Sequence, residues 1–246
     1  MKYLQLSPDK VTVGPVRIRQ LSAGENAVMN LKIRSRRGLN TERSKALVPE
    51  IRRASAPFPK DAAVQTSLAE AEFDAGNFLE AEAAADRALA LDPKAMDGLI
   101  YKARAKMALA AAGPSGSEAA WKEVRRAIVA ANRADPDDPE PLILFYSSYR
   151  EQGIEPTANA TMGLVRALEL APQDGDLRMK VAYQLLIDGK TREARTALVP
   201  IAFDPHGGER AATAAAIIEK LDSGGKAEEA LSGWSLLAPK KDDKAD

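Results

Sequence analysis

AAVQTSLAEAEFDAGNFLEAEAAADRALALDP, residues 62–93, is the stretch around which the rest of the chain is organised. In its first half Leu68, Ala69, Glu72 and Phe73 keep a helical period that stops at Gly76-Asn77. A glycine there takes the left-handed conformation that closes a helix without a Cβ penalty. In its second half Phe78, Ala81, Ala85 and Ala88 follow one another at spacings of three and four, with Leu89 and Leu91 beside them. That is one apolar stripe of a second helix. Asp92-Pro93 ends it, because proline cannot continue the hydrogen-bond ladder. Alanine at the crossing points lets two antiparallel helices approach closely, so a bulky residue at Ala81 should cost about 1–3 kcal/mol by overpacking.

The same pattern recurs down to Pro205. A second unit runs from Met96 to Pro136, with Leu99, Ala103 and Met107 before a flexible loop at residues 112–117, and Trp121, Val124, Ile128 and Ala131 after it. A third closes at Pro172, with Leu142, Phe145 and Tyr149 before Gly153, and Ala160, Leu164, Ala167 and Leu168 after. A fourth closes at Pro205, with Val181, Ala182 and Leu185 before Gly189, and Ala194, Leu198 and Ile201 after; Pro200 should kink its second helix. A fifth pair is expected from Ala212 to Leu221 and from Ala227 to Leu237, around Gly224-Gly225.

The Leu68-Ala69 pair, the turn glycine, the alanines of the second helix and the closing proline together resemble the tetratricopeptide repeat (TPR), whose period is ~34 residues. The closing prolines of units two to four follow at 43, 36 and 33 residues, the first interval lengthened by the loop. Two positions depart from the family, Gln65 where an aromatic is common and Glu72 where a tyrosine is. The resemblance implies an all-α fold, a TPR-like right-handed α-solenoid of antiparallel helix pairs, and it says little about activity.

The N-terminus differs. Tyr3, Leu4 and Leu6, then Val11, Val13, Val16 and Ile18, read as two short strands in a β-containing segment over residues 1–21. Ser22-Ala23-Gly24-Glu25 is a capping box. It opens a degenerate, basic capping helix pair over residues 22–60, with Val28, Leu31 and Ile33 in its first helix and Leu47, Ile51 and Ala54 in its second, where Pro49 interrupts or bends the chain. The repeats occupy residues 61–238, and residues 239–246 read as a disordered charged tail.

The formal net charge is zero, but it is unevenly spread: residues 1–60 hold 13 Lys/Arg against 4 Asp/Glu, and the other 186 hold 22 against 31. Such halves point to docking between them or to a basic region made for another partner. The cluster Lys32, Arg34, Arg36, Arg37, Arg43, Arg52 and Arg53 has no interleaved aromatics on which bases would stack, which argues against nucleic acid. No window approaches the ~20 apolar residues of a membrane span, and no signal peptide is visible. The chain reads as cytoplasmic by default, or as periplasmic or exported if it belongs to a larger protein.

Chemistry is sparse. With no cysteine there is no disulfide, thiolate zinc site or cysteine nucleophile. His206, the one histidine, lies in the turn Asp204-Pro205-His206-Gly207-Gly208 and reads as a solvated turn residue. HExxH, P-loop and GxGxxG motifs are absent, so neither an enzyme nor a cofactor is expected from this chain. In a solenoid the first helix of each pair lines the concave wall. That nominates Glu70, Phe73, Asp74, Ile100, Arg104, Met107, Ser147, Arg150, Met179 and Tyr183 as a groove for a peptide or partner protein. TPR clamps for a C-terminal carboxylate use Lys and Asn there; Thr66, Glu70, Ile100 and Arg104 stand in comparable places, which argues against that ligand.

The strand segment, the degenerate pair and the Asp204–Gly208 turn are also similar to the C-terminal part of bacterial proteins that join a peptidase-MA-like zinc-peptidase domain to TPRs. That resemblance implies that Met1 is internal, that an upstream domain lies in cis, and that this chain is the non-catalytic accessory half of a hydrolase.

Overall fold

A computed structural model describes residues 22–26, 28, 41–113, 117–232 and 234. The expected strands of residues 1–21, the tail of residues 239–246 and most of the first capping helix lie outside the described residues. Among the described residues the structure is helical throughout, with no strand. The helices are α1 (Thr41–Ser55), α2 (Ala62–Asp74), α3 (Phe78–Leu91), α4 (Met96–Ala112), α5 (Glu118–Ala134), α6 (Pro139–Gln152), α7 (Ala158–Leu170), α8 (Gly175–Ile187), α9 (Thr191–Ala202), α10 (Gly208–Asp222) and α11 (Ala227–Ser232).

The capping box forms as expected. Ser22 Oγ accepts from the Glu25 amide at 3.0 Å, and Glu25 Oε2 accepts from the Ser22 amide at 2.8 Å. Ser22 Oγ also donates to Asp61 Oδ2, while Asp61 Oδ1 accepts from the Ala63 and Val64 amides as the N-cap of α2. One aspartate thus ties the leading turn to the first repeat. The approach is close at Gly24, where a Cβ would stand 2.5 Å from Val64 Cγ2, so only glycine fits.

Helix α1 turns Ser44, Leu47, Val48, Ile51 and Ser55 inward, a three-and-four spacing, and packs Leu47 and Ile51 against Ala71 and Leu68 of α2. It runs unbroken through Pro49, contrary to the expected interruption. Pro49 lies on the exposed side of the helix, as does Lys45 one turn before it. Helix α9 runs through Pro200 to Ala202, its last residue.

Sequential helices then pack as antiparallel pairs, and first helices also touch across the array, α2 with α4 and α4 with α6. The first pair closes most tightly, since Ala81, Ala84, Ala85 and Ala88 of α3 are wholly buried. The α2 turn ends as its Gly76 requires, with φ +82° and the Asn77 amide bonded to the Glu72 carbonyl at 2.8 Å. In pairs two to four larger residues fill the core: Trp121, Val124 and Ile128; then Tyr146 and Leu164; then Leu186, Leu198 and Ile201.

The two departures from the family pattern are both buried and both satisfied. Gln65 accepts from Arg87 Nε at 2.8 Å. Glu72 receives a bidentate Arg52 at 2.6 and 2.8 Å and a third bond from Asn77 Nδ2 at 2.9 Å. Arg52, read from sequence as part of a basic cluster, is therefore half of a latch between α1 and α2. Its hydrogen bond to Glu72 holds the guanidinium above its ordinary value against the opposing effect of burial.

The fifth pair closes differently from the other four. Helix α11, described over Ala227–Ser232, packs on α8 as well as on α10.

Candidate functional site: the inner wall of the array

Helices α2, α4, α6 and α8 bring one stripe each to a common cleft of about 420 Å³. Phe73 comes from the last turn of α2, and Arg104 and Met107 from the middle of α4. Glu140, Ile143, Leu144, Ser147 and Glu151 come from α6, four turns of a single face. Asp174, Asp176, Leu177 and Lys180 come from the start of α8. The floor is apolar and the rim is charged.

Arg104 is the best-held polar group of the rim. Its Nη2 and Nε both donate to Glu140 Oε1, at 2.6 and 3.1 Å, and its guanidinium lies 5.5 Å from the Tyr101 ring centroid. Burial opposes its charge, but Glu140, assisted by Asp74, outweighs that and raises the guanidinium above its ordinary value. Phe73 leans on Tyr101 and on Phe78 with centroids 5.9 and 5.4 Å away. Asp174 is committed to capping α8 through the Leu177 amide, and Asp176 pairs with Arg210 at 2.6 Å. An acyl or phosphoryl nucleophile with its base does not occur in this set. Among the described residues, no three His, Cys, Asp or Glu stand where they would hold a metal ion, and no helix is long and apolar enough to cross a membrane.

Of the ten residues nominated from sequence, Phe73, Arg104, Met107 and Ser147 line the cleft together. Asp74 stands near enough for its charge to act on Arg104. Arg150 and Tyr183 lie one turn further along the same stripes of α6 and α8, with the guanidinium 5.7 Å from the ring centroid. Glu70, Ile100 and Met179 do not face the wall: they are 4%, 5% and 5% exposed. Ile100 is taken into the cluster of Ala103, Trp121 and Leu144, because the next inner helix covers the first turn of α4. Met179 shares a cluster with Leu186, Ala230 and Trp234, so the last helix closes over it. Thr66, compared above with clamp positions, is buried too, and its hydroxyl returns to the Ala62 carbonyl.

The sequence did not single out the other lining residues: Glu140, Ile143, Leu144 and Glu151 of α6, and Asp174, Asp176, Leu177 and Lys180 at the start of α8. The signal was present, since Glu140, Ser147 and Glu151 share one helical face, as do Asp176, Lys180 and Tyr183. Extending each stripe along the length of its helix reaches them.

His206 is exposed, and its amide donates to Asp204 Oδ1 at 2.9 Å, which gives the Asp204–Gly208 turn a local structural role.

No protein-family model matches the sequence, and no curated protein matches it. Solved structures do. The chain is similar to TTC0263, a thermophilic TPR protein of Thermus thermophilus, at 19% identity and a TM-score of 0.63, covering 79% of this chain and 98% of that one. It is similar to YrrB, a TPR protein with an unusual peptide-binding site, at 19% identity and a TM-score of 0.51, covering 78% and 93%. It is also similar to MamA from Desulfovibrio magneticus RS-1, at 14% identity and a TM-score of 0.52, covering 74% and 94%. With helix pairs of this spacing, alanine crossings and left-handed turn glycines, the chain is a solenoid of the tetratricopeptide-repeat fold.

Proposed function

We propose that this chain is a protein-interaction scaffold that binds an extended peptide or a helix of a partner protein along its inner wall. The observation that carries this reading is the cleft of about 420 Å³, to which four successive repeats contribute apolar floor and charged rim. Phe73, Met107, Ile143 and Leu177 offer apolar area, and Arg104 with Glu140 offers a fixed pair of opposite charges for orientation. A peptide-binding site in YrrB, on a similar fold, supports the same use of this surface. No residue of the cleft is asked to do chemistry.

The test uses phage-displayed 12-residue peptides selected on the wild-type chain. In the double variant Arg104→Glu/Phe73→Ala, selected peptides bind at least ten-fold more weakly, while the circular dichroism spectrum is unchanged. Equal binding by a folded double variant refutes the assignment of the groove.

A further inference from the structure

The inner wall does not stay open to its end. On α6 the stripe that lines the cleft runs from Ser147 to Arg150, and on α8 it runs from Lys180 to Tyr183. At that level the wall is already occupied. Trp234 is 8% exposed and rests on Tyr183 with ring centroids 5.4 Å apart. Ala230, wholly buried, and Trp234 belong to the same apolar cluster as Met179 and Leu186. The chain reaches this place by a glycine hinge. Gly224 has φ +85°, and a Cβ on Gly225 would stand 2.6 Å from the Lys220 carbonyl oxygen, so the reversal tolerates no other residue at either site without strain.

We propose that the segment from Ala227 to Trp234 is a strap, an intramolecular occupant of the inner wall at α8 that an incoming partner displaces. Its construction suits release. Helix α11 is described over Ala227–Ser232, its Glu228 and Glu229 are exposed, and a helix shorter than about 12 residues is marginal in water without packing. Among the described residues it is attached by the buried Trp234 and Ala230, with Ala227 and Leu231 partly covered and Lys220 Nζ donating to the Glu229 carbonyl at 3.3 Å. Each of the four full repeats, by contrast, is closed by two helices of 12 to 17 residues. A tethered segment competes at a high effective concentration, so the wall at Tyr183 is closed to weak ligands and open to those that also engage the cleft.

The strap extends the scaffold reading, but its test is independent of it, because the probe is the chain's own sequence. A fluorescein-labelled peptide of residues 226–234, KAEEALSGW, is titrated by anisotropy against the full chain, against Trp234→Ala and against Ala230→Glu. Both variants loosen the strap without altering the wall. Each is expected to bind the peptide at least ten-fold more tightly than wild type, and Tyr183→Ala added to either is expected to abolish the gain. Circular dichroism identifies any variant that has lost its helices, in which case the other carries the result. A folded strap variant that binds the peptide no better than wild type overturns the proposal, as does a gain that survives Tyr183→Ala.

Discussion

Glu72 and Arg52 show how one buried charge is made tolerable. Glu72 is 2% exposed, and its two carboxylate oxygens take three hydrogen bonds, two of them from the half-exposed Arg52. Removing the guanidinium leaves a buried carboxylate with only Asn77 to satisfy it. A fully buried pair broken in this way loses about 3–5 kcal/mol. Because Arg52 is near water, which screens its charge, the expected cost of Arg52→Ala is about 1–3 kcal/mol. Urea titration measures it, and Arg53→Ala, which removes a neighbouring exposed charge, should change stability by less than about 0.5 kcal/mol. The same pair explains why a family position normally held by tyrosine accepts glutamate.

At the scale of elements, α3 is set apart by size rather than polarity. Its four inward residues are all alanine and all wholly buried, Ala84 and Ala85 against Ala69 of α2 and Ala88 beside Gly98 of α4. Ala81→Leu adds three carbons where no void receives them. The expected loss is about 1–3 kcal/mol with helical content unchanged, read from the urea midpoint and the far-ultraviolet spectrum. Helix α5 meets its neighbours with Trp121, Val124 and Ile128 instead, so a conservative Val124→Ile there should be tolerated better than Ala81→Leu. Element boundaries were legible because punctuation is local. Gly76, Gly153 and Gly189 all adopt positive φ at helix ends, and Asp61, Asp138 and Asp174 cap the helices that follow them. Pro49 is the exception, since it sits at an exposed position inside α1 and does not end the helix.

At the scale of the whole molecule, polar links join successive repeats, and the hydrogen bond between Tyr146 of α6 and Gln184 of α8 can be followed by pH. Tyr146 Oη donates to Gln184 Oε1 at 2.7 Å, in a site where burial pushes the phenol up to about 12, against the pull of Arg150. An unfolded tyrosine ionises near pH ~10. The unfolded chain therefore loses its proton first. The contribution of Tyr146 is intact below pH ~10 and is lost as pH rises toward 12, a fall of about 2 kcal/mol. In Tyr146→Phe that part of the fall disappears, while stability near neutral pH drops by about 1 kcal/mol for the lost hydrogen bond. Denaturant midpoints measured between pH 9 and 12 (roughly the range set by these two values) distinguish the two curves.

The repeats, their turns and the absence of cysteine and metal-binding motifs were determined by the sequence alone, since each rests on residues a few positions apart. Four wall residues, Phe73, Arg104, Met107 and Ser147, were legible in the same way, from one helical face at a time. Tertiary structure decided which residues on those faces stay open. Ile100 and Met179 share the helical stripe of exposed neighbours, yet α6 and the α11 strap cover them. It also decided that the wall ends under Trp234 of this chain, 51 residues after Tyr183, because two glycines turn α11 back across α8. A helical period specifies a face, and only the packing of distant segments specifies what lies over it.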